Sequence, residues 1–495
     1  MRVSSKRHSG TPARPDRRAW RSLALLAAGA CIATGPAALA ASGGAGPLPS
    51  HSAKPQLPEA ECPSSLPSTT TCYSGRQESG AYYSIAVPEE WTGNLVVHAH
   101  GGPDLGPADP ERSREDLDRW SVMVKEGFAW AGTSFRRGGY GARMAATDTE
   151  QLRKLFVRSF GQPRTTLLHG QSWGGNVAAK ALEMYGQKSA NTYDGALLTN
   201  GVLGGGSRGY DYRLDLRVVY QYYCRNHPRP DEPQYPLWRG LPDDSTMTPT
   251  ELEQRVQQCT GYQSRPDERT GEQRTALSNI LAVIGIPEET LYSHLKFATF
   301  TFRDIVSERL GGENPFSNVN VRYDGSDNDR ALNRGVARYA SDRSARRDLS
   351  FDSDLTGHVS IPIVTLHAID DPTAFVEHES AYRATLEAVG AAEHLVQVFT
   401  TENEHSSLSD SEYATAIGSL LDWVNQGKRP SASSMAAACL ANDAVYGEGC
   451  FIDPSYRPRP YFDRVYARPG NTKWPAITWA QYTRWERAGD IGIDY

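Results

Sequence analysis

Apolar and polar positions change rhythm along the chain. Short runs rich in β-branched and aliphatic residues occupy 81–87, 95–99, 128–131, 165–169, 196–199, 361–366 and 394–399, and helix-like stretches separate them. Strands alternating with helices predict an α/β fold with a mostly parallel sheet covered on both faces. Between 202 and about 350 the alternation fails. That segment is rich in Arg, Tyr and Asp, with Tyr220-Gln-Tyr-Tyr-Cys224, a helix-like 250–258 and a polar stretch over 314–347. The pattern predicts a core in two parts, 76–205 and 351–428, with a large inserted cap over 206–350. Residues 429–495 follow as a C-terminal extension holding two cysteines and many aromatics. No internal repeat is visible. A chain of 495 residues has ample sequence for such a core and an insertion.

The N-terminus runs from Arg2, Lys6, Arg14, Arg17, Arg18 and Arg21 into an apolar stretch from Leu23 and then Ala38-Leu39-Ala40. This basic, apolar, small-residue order is that of a secretory signal peptide, assigned to 1–40. A membrane span needs about 20 apolar residues, and this run is shorter and broken by Gly35-Pro36, so no stable span is expected. Arg17-Arg18 fits a twin-arginine signal in part, and Cys31 after Ala-Gly-Ala offers a weaker lipid-anchor reading. Residues 41–75, rich in Gly, Pro, Ser and Ala, read as a flexible leader. The expected location is extracellular or periplasmic.

Export changes the reading of the cysteines. Cys62, Cys72, Cys224, Cys259, Cys439 and Cys450 remain after cleavage, in three pairs close in sequence, and an oxidising compartment predicts the local bridges Cys62–Cys72, Cys224–Cys259 and Cys439–Cys450. No Cys-x-x-Cys occurs, so zinc and thioredoxin-like chemistry lack support. The 52 Lys+Arg are dispersed among 58 Asp+Glu for a net charge of −6, which leaves no basic footprint for nucleic acid.

Gly170-Gln171-Ser172-Trp173-Gly174 matches G-x-S-x-G, and its flanks matter more than the match in a chain with 45 Gly. An apolar β-type run precedes it and a strong helix pattern over 176–185 follows, ending at Gly186 in the role of a left-handed cap. Strand, tight turn and helix lift a serine hydroxyl onto a strained elbow, so Ser172 is the candidate nucleophile. A serine hydroxyl is a weak nucleophile at neutral pH and needs a base and a group that orients the base. After the run 361–366 stand Asp370 and Asp371, either of which suits the acid while the other caps the turn at Pro372; Asp371 is favoured. After 394–399 stands His405, followed by Ser409 and Glu412 as a capping box for a helix that ends at Gly427. His100-Gly101-Gly102-Pro103 follows the run 95–99, and the main chain of Gly101 and Gly102 with the N–H of Trp173 suits an oxyanion hole. A rival reading makes His98, His100 and Asp104 metal ligands, but no further ligand cluster follows, and neither metal nor cofactor is expected.

These motifs resemble the α/β-hydrolase superfamily over roughly 81–201 and 361–427. His100-Gly-Gly-Pro103 with Gly170-Gln-Ser-Trp-Gly174 is similar to the proline iminopeptidase and tripeptidyl aminopeptidase branch, although Phe135-Arg-Arg-Gly-Gly-Tyr-Gly141 lacks that branch's Asp-Gln. Leu366-His-Ala-Ile-Asp-Asp-Pro372 resembles the acid loop of secreted bacterial esterase-like hydrolases, and that resemblance makes Asp371 the acid. The implied function is cleavage of a small or polymeric carboxylic ester through an acyl-enzyme. An aminopeptidase is the alternative, and a non-catalytic binding protein on this fold is the third. An aminopeptidase must seat a substrate ammonium against carboxylates, for which Glu288-Glu289 are candidates, although a helix-start role suits them better. Tyr220, Tyr222, Tyr223, Tyr235 and Trp238 suit either an apolar substrate wall or the cap's own core.

Overall fold

The computed structural model describes residues 56–186 and 192–489; the expected signal peptide, Arg17-Arg18 and Cys31 lie outside them. Nine strands form one sheet: β1 Glu59–Ala60, β2 Thr71–Arg76, β3 Tyr82–Val87, β4 Asn94–Ala99, β5 Ala129–Thr133, β6 Thr165–Gln171, β7 Gly195–Thr199, β8 Ile363–Ala368 and β9 Leu395–Thr400. Their order is β1-β2-β3-β5-β4-β6-β7-β8-β9. The first four in that order pair antiparallel, and from β5 through β9 every pairing is parallel. Parallel pairing brings the C-terminal ends of β4, β6, β8 and β9 to one edge, where ligands of open α/β sheets bind. The registers Ala99↔Gly170 and Ala368↔Thr400 set these ends side by side.

Side chains alternate between faces along each strand, so β4 sends Leu95, Val97 and Ala99 to one hydrophobic core and Val96 to the other. The first core packs under the helices Ala142–Phe160 and Trp173–Ala181; the second packs under Ser121–Lys125 and Asp410–Gln426. Asp410–Gln426 opens on the Ser409/Glu412 capping box and closes at Gly427 with φ 70°. The helix after Ser172 ends differently from expectation. It passes into a π-helical turn, Leu182–Gly186, and Gly186 does not take a positive φ.

The segment 56–75 is not the featureless leader expected from its composition. It forms β1 and β2, buries Leu66 and Cys72, and is tied by the Cys62–Cys72 disulfide. Composition misled there because an edge strand needs only one buried face, and in β2 only Cys72 is fully buried.

Between β7 and β8 lie helices Asp211–Cys224, Pro249–Thr260, Gly271–Ile284, Leu291–Lys296, Asp329–Gly335 and Arg343–Ser353. The Cys224–Cys259 disulfide ties the first to the second. Tyr220 is fully buried there with its hydroxyl donating to Asn226, so it belongs to the insertion's own core. After β9 the chain forms Ala432–Tyr446, is bridged by Cys439–Cys450, and lays Ile452 beside Thr400. It then crosses onto the insertion, where Arg468 grips Asp215, Arg464 donates to the Ile284 carbonyl and Tyr466 to that of Val283. The extension is therefore a strap across both parts. Among the described residues no helix is long and apolar enough to cross a membrane.

Candidate active site

Ser172 stands between β6 and the helix Trp173–Ala181 with φ 59° and ψ −126°, a conformation that L-residues avoid. Its surroundings hold it there. Its N–H donates to Thr199 O at 2.9 Å, and its carbonyl accepts from Gly175 N at 3.0 Å and Val202 N at 3.1 Å. The motif's glycines are obligatory for a steric reason: a Cβ on Gly170 would lie 2.1 Å from Gly174 O, and one on Gly174 would lie 2.2 Å from Ala99 O. The side chain is thereby raised to the sheet edge, and the residue is 9% exposed.

His405 follows β9 and Asp371 follows β8. His405 Nε2 lies 2.9 Å from Ser172 Oγ, and its Nδ1 lies 2.8 Å from Asp371 Oδ2. Asp371 is buried, and its Oδ1 also accepts from the N–H groups of Thr373 and Ala374 at 2.8 Å each. One carboxylate thus caps the turn at Pro372 and orients the imidazole, while Asp370 is exposed. The turn after β8 decides between them, since it aims Asp371 inward at His405 and leaves Asp370 facing outward.

Gly101 packs directly beside the serine, because a Cβ there would lie 3.9 Å from Ser172 Cβ. Trp173 is the first residue of its helix, so its N–H has no intrahelical acceptor. His100 anchors the glycine loop: Nδ1 is 2.8 Å from Asp116 and Nε2 is 3.0 Å from Asp104, with Arg112 Nε 3.2 Å from that same carboxylate. Burial disfavours a charged His100, but Asp116 and Asp104 together outweigh it and raise the pKa. His98 turns to His169, Nδ1 to Nδ1 at 2.9 Å. The rival metal set His98, His100 and Asp104 is therefore engaged in contacts with Asp116, Arg112 and His169, and among the described residues no group of side chains is arranged to hold a metal ion.

Two neighbours of the site carry no sequence signal. Arg119 donates to the carbonyl of Ser406, next to His405. His294, from the insertion, lies 2.9 Å from the Pro372 carbonyl through Nε2 and 3.1 Å from the Tyr212 hydroxyl through Nδ1. Burial, helped by nearby Arg213, pushes His294 down to about 3, so it is neutral. Of the ammonium candidates, Glu288 is instead ion-paired with Arg269 and Glu289 is exposed.

No family model matches the chain. An o-phthalyl amidase of Xanthobacter agilis is 28% identical over 117 residues, which are 23% of this chain and 24% of the relative, so the chain spans about a quarter of that protein's length. Among solved structures, an esterase from Aspergillus oryzae is 15% identical over 73% of this chain and 81% of its own, with a TM-score of 0.39. Tannin acyl hydrolase from Aspergillus niger is 11% identical over 75% and 82%, with a TM-score of 0.36. The sheet itself carries the assignment: with antiparallel strands leading into the parallel series β5-β4-β6-β7-β8-β9, Ser172 after β6, Asp371 after β8 and His405 after β9, this chain has the α/β-hydrolase fold.

Proposed function

We propose that the chain is a serine hydrolase that cleaves carboxylic esters through an acyl-enzyme. Ser172 Oγ attacks the carbonyl carbon as His405 Nε2 takes its proton; Asp371 keeps the Nδ1–H tautomer and stabilises the imidazolium. The main-chain donors of Trp173 and the Gly101-Gly102 loop face the developing oxyanion. His405 then protonates the departing alcohol, and a water molecule repeats the sequence to free the acid and Ser172. The observation that supports this reading is the unbroken relay of 2.9 Å and 2.8 Å from Ser172 through His405 to Asp371. In the same reading, 206–350 caps the site. The protein is exported after loss of 1–40, which suits three bridged pairs with Cα separations of 5.3, 5.6 and 5.5 Å.

Amide hydrolysis is the second reading, favoured by the amidase relative. The aminopeptidase form of it is weakened by Glu288, whose charge is already met by Arg269. A fluorophosphonate probe should label Ser172 alone, and Ser172→Ala should abolish both labelling and turnover; an adduct elsewhere sinks the assignment. On a panel of p-nitrophenyl esters and aminoacyl-anilides, the esters should lead by at least about 10²-fold in kcat/KM. Faster cleavage of prolyl- or alanyl-anilides than of any ester would reverse the order of the two readings.

A further inference from the structure

Among the described residues, the buried Arg and Lys side chains are held by oxygen, with one exception. Arg153 pairs with Glu150, Lys180 donates to the Asp354 carbonyl, and Arg208 donates to Asn471 and the Lys473 carbonyl. Arg217 reaches the carbonyls of His227 and Gly240, Arg255 pairs with Glu232 and Glu251, and Arg468 pairs with Asp215. Arg213 is only 6% exposed, its Nε is buried without a hydrogen-bond partner, and among the described residues it has no ion pair. Its surroundings are aromatic: the guanidinium carbon lies 3.8 Å from the ring centre of Phe297, 5.0 Å from Tyr212 and 5.1 Å from Tyr210. Ring faces offset part of the cost of burying the charge but accept none of its five N–H donors.

The position of this aromatic box gives it meaning. Tyr210 packs 5.7 Å from Tyr140, which packs 5.8 Å from Trp173, the residue after Ser172. On the other side Tyr212 contacts His294, and His294 contacts the carbonyl of Pro372, the residue after Asp371. Arg213 is therefore bracketed by the loop of the serine and the loop of the acid. Both Arg213 and His405 act on the His294 titration, which agrees with this placement.

We infer that Arg213, set among the rings of Tyr210, Tyr212 and Phe297, is a specificity-determining residue that binds a carboxylate carried by the substrate. The guanidinium fork matches a carboxylate in two parallel hydrogen bonds, and a buried, unpaired Arg is preorganised to receive one. This rests on the hydrolase reading and narrows it to esters or amides that keep a free acid group, on either the acyl or the leaving side.

Three esters separate the alternatives: phenyl hexanoate, its anionic counterpart monophenyl adipate with the acid on the acyl side, and 3-carboxyphenyl hexanoate with the acid on the leaving side. The wild type should favour one anionic ester over phenyl hexanoate by about tenfold or more in kcat/KM, and the favoured one identifies the side. Arg213→Met should cut turnover of that ester by about 10²-fold while leaving phenyl hexanoate little changed, and Arg213→Lys should fall between. No anionic preference in the wild type, or an intact preference in Arg213→Met, overturns the inference. If Arg213→Met fails to fold, competitive inhibition of the wild type by adipate, weakened in Arg213→Lys, decides instead, and equal inhibition of both overturns it. If no ester turns over, the hydrolase reading fails separately. Adipate should then still raise the melting temperature of the wild type and not of Arg213→Met, and no shift overturns the carboxylate site.

Discussion

Val96, Leu167, Leu197, Val364 and Val396 come from five neighbouring parallel strands and meet in one apolar layer beneath the sheet. The insertion and its strap also bury apolar side chains, but they are cross-linked by charge: Arg468 on Asp215, Arg346 on Asp211 and Arg255 on Glu232 and Glu251. The difference teaches where specificity resides. A non-directional apolar layer tolerates changes of similar volume, so it can carry a rigid edge for the relay. Buried ion pairs are costly unless both partners are present, so they fix which segment lies on which. The strap from the extension is placed by such pairs, and Arg213, whose guanidinium has neither an ion pair nor a hydrogen-bond acceptor among the described residues, lies where substrate would complete it.

The sharpest test on the sheet side is the acid. Asp371→Asn should lower kcat by about 10⁴-fold, because the amide stabilises the wrong imidazole tautomer, whereas Asp370→Asn should change it little. Steady-state kinetics with melting curves checks this, and a reversed ranking would dissociate activity from the 2.8 Å contact. On the insertion side, Arg468→Met strands the buried Asp215 carboxylate and should cost about 3–5 kcal/mol. Adding Asp215→Leu should return part of that loss in urea unfolding, and a double variant no better than the single one would show that the pair is dispensable.

The covalent ties should follow loop length. Cys224→Ser with Cys259→Ser opens a loop of 35 residues and should cost about 4 kcal/mol. The pair Cys439→Ser with Cys450→Ser opens one of 11 and should cost about 3 kcal/mol. Equal melting temperatures for the two double variants would contradict that order.

Acid should weaken both regions through histidines that are buried neutral. Burial pushes His294 and His378 down to about 3 from 6.5. Between those values the unfolded chain binds protons at these sites that the folded protein does not, so stability falls as pH falls below 6.5, by up to about 1.4 kcal/mol per pH unit per group. Glu412 acts the other way: burial raises it from 4.5 to about 7, so its contribution is complete below 4.5 and is lost as pH rises through 7. Urea midpoints at pH 6.5 and 5.0 should therefore drop in the wild type and drop less in a His294→Gln, His378→Gln variant. An unchanged slope would remove these two residues from the account. The smallest effect belongs to the caps: Ser409→Ala on the sheet side and Thr248→Ala on the insertion should each cost about 1 kcal/mol, read from urea midpoints. Ser409 should cost the more, since its hydroxyl also donates to Gly449 O.

Several features were legible along the chain because they depend on near neighbours. The seven predicted strands appear with every end shifted by two residues or fewer. The three local disulfides and the Ser409 capping box also form as read. β1 and β2 were missed because an edge strand with one buried face has weak periodicity. Arg119 and His294 were missed because their partners lie hundreds or scores of residues away, as with the 287 residues between Arg119 and Ser406.

Sequence alone determined the elbow at Ser172, since the glycines around it answer to backbone crowding within a few residues, and it placed Asp370-Asp371 and His405 in the loops that follow two successive strands. Tertiary structure decided that Asp371 rather than Asp370 meets His405, that the extension crosses onto the insertion, and that Arg213 is buried without an ion pair among the described residues. Those outcomes depend on which side chains converge in space, and convergence of segments distant along the chain leaves no local pattern to read.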